Sequence, residues 1–213
     1  MKFGMNRRRL LAAGGAALLG LGMGRAQALN EMEQFRPGRD YNDLITFPPT
    51  DLTKIPKKFR RQIVPYEGRH WPGTIIVDTA ERHLYLILEG RQAIRYGVGV
   101  GREGFRWAGL ADIERKVMWP RWTPPPEMVE RDPNAAKWKD GMPGGPDNPL
   151  GARALYLFQN GRDTLYRLHG TNTPASIGKA MSSGCIRMIN EDVIELYRRS
   201  PVGTRVVVLA QGI

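Results

Sequence analysis

The sequence predicts a mainly β protein with minor α content: one β-rich domain of mixed sheets, carrying a single notable helix near its C-terminal end. Three observations lead there. Short apolar runs with strand-like composition recur between turns marked by Gly, Asn and Pro. Gly (25) and Pro (16) are abundant among 213 residues, which suits loop-rich β structure better than a helical bundle. Only the stretch after Met188 shows a helical apolar stripe with charges that complement both of its ends. A hydrophobic share of 41% supplies enough apolar mass for one core.

Residues 1–28 read as an export leader. Asn6-Arg7-Arg8-Arg9-Leu10-Leu11 opens a run of Leu, Ala and Gly that reaches about Gly24. Ala26-Gln27-Ala28 then places small residues at the two positions a signal peptidase inspects. The run is too short and too rich in Gly for a membrane span, so no stable transmembrane segment is expected once the leader is cut. The paired arginines fit a twin-arginine signal, with an ordinary secretory signal or an uncleaved anchor as alternatives. Each of them implies export, to the periplasm or cell envelope.

Residues 29–72 are polar and rich in charge and proline, and predict a linker or an arm lying on the domain. The domain itself is expected over residues 73–211. Thr74-Ile75-Ile76-Val77-Asp78 reads as a strand, residues 83–89 as a second and residues 92–100 as a third, joined into a meander by the Gly90-Arg91 turn. Residues 101–150 show few periodic apolar positions but many Gly, Pro and Trp, and predict a lid or cleft wall. Residues 154–158 and 164–171 form two further strands about Asn160-Gly161, a hairpin-turn pair. Asn190 then caps a helix: Glu191 and Asp192 meet its positive end, Val193, Ile194, Leu196 and Tyr197 form its buried stripe, and Arg198 and Arg199 close it. Residues 204–210 are the last strand.

Charge narrows the partners. Residues 1–28 hold five cations and no acid, which leaves +6 of the formal +11 for the rest. Such a surface suits an anionic polymer, but no dense Lys/Arg run with interleaved aromatics follows the leader, which argues against nucleic acid.

Cys185 is the sole cysteine, so a disulfide within the chain is excluded. A lone thiol in an exported protein asks for a chemical reason. Two short pieces supply one: His169-Gly170-Thr171 at a strand end, and Ser182-Ser183-Gly184-Cys185-Ile186-Arg187 in the turn before the helix. An imidazole that takes the thiol's proton makes the sulfur a good nucleophile. Glycine beside each partner lets a substrate backbone approach, and the N–H groups of Gly184 and Cys185 can face a developing oxyanion. His70 and His83 fall in the arm and at a strand start, and are read as structural.

Together these pieces closely resemble the catalytic region of the L,D-transpeptidases, the YkuD-type domain. That family's pattern is His-Gly-(Thr/Asn), about a dozen residues, then Ser/Thr-His-Gly-Cys, an apolar residue and Arg or Asn. Here it reads His169-Gly170-Thr171-Asn172 and then Ser182-Ser183-Gly184-Cys185-Ile186-Arg187-Met188. The likeness runs over roughly residues 73–210 and includes Asn148-Pro149-Leu150-Gly151, the Asn190-Glu191-Asp192-Val193 helix start and the segment from Trp119 to Pro126. One departure stands out: Ser183 replaces the family's histidine before Gly-Cys, which leaves His169 as the histidine placed to act as base.

The resemblance implies a peptidoglycan enzyme of cell wall biogenesis. Cys185 would attack the third-residue carbonyl of a tetrapeptide stem and expel D-alanine, with His169 moving the protons. The thioester would pass to the side-chain amine of another stem, giving a 3→3 cross-link. Water or an envelope protein are the alternative acceptors. No metal or other cofactor is implied. Arg187 is expected either to contact a stem carboxylate or to pair locally with Glu191 or Asp192. Gly170, Thr171 and Ser183 are expected to support the site, and Trp119 and Trp122 either to line the cleft or to pack in the core.

Overall fold

Short apolar runs punctuated by positive-φ turns build a mixed sheet. The structure is a computed structural model that describes residues 47–101, 107–181 and 185–209; the leader reading over 1–28 lies outside the described residues. Eleven strands among those residues share the sheet: β1 (Gln62–Pro65), β2 (Ile75–Asp78), β3 (His83–Leu88), β4 (Gln92–Gly97), β5 (Gly99–Gly101), β6 (Gly109–Met118), β7 (Arg153–Gln159), β8 (Arg162–His169), β9 (Ala180–Met181), β10 (Ile186–Arg187) and β11 (Arg205–Val208). Their order is β1-β4-β3-β2-β11-β6-β7-β8-β10-β5-β9. The β2–β11, β8–β10 and β5–β9 pairs are parallel and the rest antiparallel. Among the described residues three α-helices accompany the sheet: α1 (Pro126–Arg131), α2 (Pro133–Ala136) and α3 (Asn190–Arg199).

The β7–β8 hairpin turns where the sequence indicates. Asn160 and Gly161 take φ of 52° and 72°, the pair a type I′ turn requires. The run expected over 92–100 is instead broken at Val98. β4 pairs with β3 and β1, whereas β5 pairs with β10 and β9 at the far end of the sheet order. Because Val98 alone separates them, the sheet must curl until its two ends meet. The curl encloses one core, in which Leu84, Leu86, Ile94, Val100, Ile113, Leu155, Leu168 and Ile186 pack with Val193 and Leu196 of α3. Burying each such side chain contributes roughly 1.5–3 kcal/mol.

Three features depart from the sequence reading. First, the segment 101–150 contains β6, a ten-residue strand held between β11 and β7. Glu114, Arg115 and Lys116 disguise it, and a register shift between Ile113 and Arg115 breaks the alternation that would reveal it. The same segment holds α1 and α2. Second, Ile189 rather than Asn190 is the helix N-cap, and Asn190 is the first helical residue. Third, the sheet begins ahead of residue 73, because β1 in the arm pairs with β4 along its whole length.

The rest of the arm is packed just as closely. Ile55 and Phe59 form a small cluster with Ile177 and Ile189. Phe59 fills a notch made by two glycines: a Cβ on Gly97 would lie 2.2 Å from the Phe59 carbonyl oxygen, and one on Gly178 2.2 Å from its ring. Thr50 donates from its N–H (2.7 Å) and hydroxyl (2.8 Å) to the two Glu191 oxygens, and Arg61 pairs with Asp192 at 3.4 Å. The start of α3 is thus anchored by the arm. Further along the helix the buried Glu195 accepts from both Tyr96 and Arg199.

Candidate active site

The site is assembled where β8 ends beside β10. These strands run parallel, with Ile186 opposite Leu168 and Arg187 opposite His169. Leu168 and Ile186 are fully buried and belong to the core. Alternation therefore turns His169 and Arg187 to the other face, and Cys185 lies in the bend that leads into β10. Cys185 is half-buried and close enough to Arg187 to interact with its guanidinium, which burial pulls below its ordinary pKa. Thiol, imidazole and guanidinium thus gather at one strand junction.

His169 is 3% exposed. Burial lowers its pKa to about 4; the carbonyls of Gly170 and Leu150 oppose this, and the positive charges of Arg187 and Arg167 reinforce it. At neutral pH the ring is uncharged. Nδ1 faces the Gly170 carbonyl at 2.6 Å, and a carbonyl only accepts, so Nδ1 carries the ring proton. The other nitrogen, Nε2, keeps its lone pair and is the basic atom of the ring. A backbone carbonyl does here what a carboxylate does in other His-containing sites: it fixes tautomer and ring orientation.

Glycine makes this arrangement geometrically possible. Gly151 sits at φ +61°, and an added Cβ would meet Asn190 Oδ1 at 2.3 Å and the Thr171 N at 2.5 Å. A Cβ on Gly170 would meet the same Asn190 oxygen at 2.3 Å. Asn190 Oδ1 meanwhile accepts from the Ala152 N–H at 3.0 Å. The first residue of α3 therefore pins the start of β7 against the end of β8, which holds the His169–Gly170 peptide in place. Asn148, fully buried, donates to the carbonyls of Pro143 (2.9 Å) and Pro120 (3.1 Å) and accepts from the Leu150 N–H (2.9 Å). It carries the 119–122 and 141–143 segments and brings the Leu150 carbonyl to the ring.

The other expected site residues divide. Gly170 and Thr171 lie at the junction, and Thr171 also lines a groove of about 470 Å³ with Phe47, Pro49, Thr50, Asp147 and Asn190. Ser183 and Gly184 lie outside the described residues. Trp119, at φ 46°, packs edge-on against Phe47 of the arm (centroids 6.0 Å apart). Trp122 is tied to Met142 by a pair of backbone hydrogen bonds. Glu191 and Asp192, weighed as local partners of Arg187, are engaged by Thr50 and Arg61. His70 meets Tyr66 at 2.6 Å and His83 meets the Lys58 carbonyl at 3.0 Å, both structural contacts. Sequence reading missed Asn190 as a positioning residue, because Asn ahead of an acidic pair looks like a cap. Among the described residues no group of three or more His, Cys, Asp or Glu side chains is placed to hold a metal ion.

The class is a β-rich domain with a half-buried thiol just ahead of the strand that pairs with the end of β8, where a buried imidazole lies. The comparisons with known proteins give it a family. The YkuD model, described as an L,D-transpeptidase catalytic domain, matches residues 72–208, and the chain belongs to this family. It is 36% identical over 186 residues to the probable L,D-transpeptidase YbiS of Escherichia coli (strain K12), covering 84% of this chain and 55% of that protein. It is 34% identical over 196 residues to the probable L,D-transpeptidase ErfK/SrfK of the same organism, covering 88% of this chain and 57% of that protein. The chain thus spans about half the length of the curated relatives it matches. Among solved structures it resembles a Brucella melitensis protein described as a probable carnitine operon oxidoreductase caia, with 51% identity, a TM-score of 0.50, and coverage of 75% of this chain and 99% of that one.

Proposed function

We propose that the chain is an exported peptidoglycan L,D-transpeptidase with Cys185 as nucleophile and His169 as its base. The observation that carries this reading is the neutral, carbonyl-oriented imidazole of His169 on the strand beside Cys185, with its Nε2 lone pair available. His169 takes the thiol proton as sulfur attacks the third-residue carbonyl of a tetrapeptide stem. The tetrahedral intermediate collapses to a thioester, and the leaving D-alanine amine receives the proton from the imidazolium. The side-chain amine of a second stem then attacks the thioester, gives up a proton to His169 and releases the thiol, leaving a 3→3 amide link. Arg187, close to the thiol, supplies positive charge near the sulfur. The Gly184 and Cys185 N–H groups are the proposed oxyanion donors.

Incubation of the leaderless protein with disaccharide-tetrapeptide tests this directly by mass spectrometry. Dimers with loss of D-alanine and a thioester on Cys185 are expected, and both vanish in Cys185→Ala. Trimmed monomers without dimers would assign water as acceptor, and a stem joined to an envelope protein would assign an attachment role. Absence of any adduct on Cys185 overturns the proposal. Export to the periplasm or cell envelope is part of the same reading, supported by the leader motif of residues 1–28.

A further inference from the structure

One transverse row of the sheet joins the site to a group of side chains that the proposed chemistry leaves unused. Arg115 of β6 stands opposite Tyr156 of β7, and Tyr156 opposite Arg167 of β8. Three residues are therefore in line across three strands, and Cys185 lies in the bend one residue before the Ile186–Leu168 pair that joins β10 to β8. Within the row both guanidinium groups lie on the tyrosine ring: Arg115 Cζ is 4.1 Å from its centroid and Arg167 Cζ 4.3 Å.

The two arginines are not equivalent. Arg167 has its planar fork fully occupied: Nη1 donates to Asp163 Oδ1 at 2.7 Å and Nη2 to Oδ2 at 2.8 Å, and Nη1 also meets the Tyr166 carbonyl at 2.9 Å. Arg115 is exposed, has no acidic partner of its own among the described residues, and feels Asp163 only at longer range. Two cations against one carboxylate leave the row positive. The ring faces hold Arg115 flat, so its five donors are oriented before any ligand arrives, the condition under which an arginine binds a carboxylate through two parallel hydrogen bonds.

Resting on the proposed transpeptidase reading, we infer that Arg115, held on the Tyr156–Arg167 stack, is a subsite for a free carboxylate of the acidic peptide that enters at Cys185. Strands are spaced about 4.8 Å apart, so the guanidinium over Tyr156 lies roughly 10 Å from the Cys185 position. An extended peptide covers that span in about three residues. The carboxylate belongs to a residue or side chain up to about three residues from the attacked carbonyl. Arg115 makes the contact; Tyr156 and Arg167 are positioning residues.

Binding to the full chain carrying Cys185→Ser separates recognition from chemistry. A tetrapeptide stem and its analogue with every carboxylate converted to carboxamide are titrated by calorimetry. The acid is expected to bind about 10-fold tighter than the amide, the scale of one charge-assisted contact at an exposed site. Arg115→Gln should bring the two affinities to within about 2-fold of each other and leave that of the amide unchanged. Tyr156→Phe should keep the preference, and Tyr156→Leu should lose part of it. Equal binding of acid and amide with Arg115 present, or an undiminished preference in Arg115→Gln, overturns the inference. Lack of a thioester on Cys185 in the unmutated protein would count against the transfer chemistry alone, because the binding preference is read without it.

Discussion

Replacing Asp192 by Asn is expected to convert a nearly flat pH–stability profile into a steep one. Two buried groups with opposite displacements underlie this. Asp192 is 3% exposed, and burial raises its carboxyl to about 7 even though Arg61 pulls it down. His169 is lowered by burial to about 4. In the unfolded chain both revert to ordinary values, near 3.9 and 6.5. Between about pH 4 and 6.5 the folded protein therefore carries one proton on Asp192, and the unfolded chain carries one on His169. Taken singly, the Asp192 contribution is present below pH 4 and lost as pH rises through 7, by roughly 4 kcal/mol. The His169 contribution is present above pH 6.5 and lost as pH falls through 4, by roughly 3 kcal/mol. Their slopes, each at most about 1.4 kcal/mol per pH unit, cancel across the shared window. Asp192→Asn leaves the His169 slope alone, so stability should climb by about 1.4 kcal/mol per unit from pH 4.5 to 6. His169→Gln leaves the other, and stability should fall at a similar rate. Urea unfolding at half-unit intervals reads both slopes, whatever constant cost comes from changing the neutral Asp192 carboxyl beside Arg61 to an amide. Parallel profiles for the unmutated protein and Asp192→Asn would refute the argument.

Two further outcomes follow from the site. The acid limb of kcat/KM should have its half-point near pH 4, because burial keeps the His169 ring neutral to that point; a limb centred near 6.5, measured where circular dichroism shows the fold intact, would count against it. Gly170→Ala places a Cβ 2.3 Å from Asn190 Oδ1 and 2.9 Å from the Ala152 N, so it should cost about 1–3 kcal/mol of stability and slow Cys185 acylation about 100-fold, with unchanged values for both ruling out the tight junction.

Much of the fold was legible because its signals are local. Asn160-Gly161 announces its hairpin through the two positive φ values it must adopt, and the runs at 74–78 and 83–89 are short apolar stretches bounded by turns. β6 was not legible, because its central residues are Glu114, Arg115 and Lys116 and a bulge resets the face on which apolar residues fall. Its place in the sheet is decided by β7 and β11, which lie far away in sequence. The same applies to Asn190: a side chain that reaches 38 positions back to Ala152 leaves no mark that distinguishes it from a cap. Cys185 and His169 drew notice in the sequence because glycine flanks each. The stacking of Arg115 and Arg167 on Tyr156 was not, since it depends on strand register alone.

The glycine notch that receives Phe59 has a practical corollary for where this module begins. The family match starts at residue 72, after β1, Phe59 and Arg61. A fragment cut there would bare the hydrogen-bonding rim of β4, empty the socket beneath Gly178 and strip Asp192 of its counter-ion at once. Such a piece would retain the whole homologous segment and still be prone to edge-to-edge aggregation. The unit that folds is longer than the unit that is recognised.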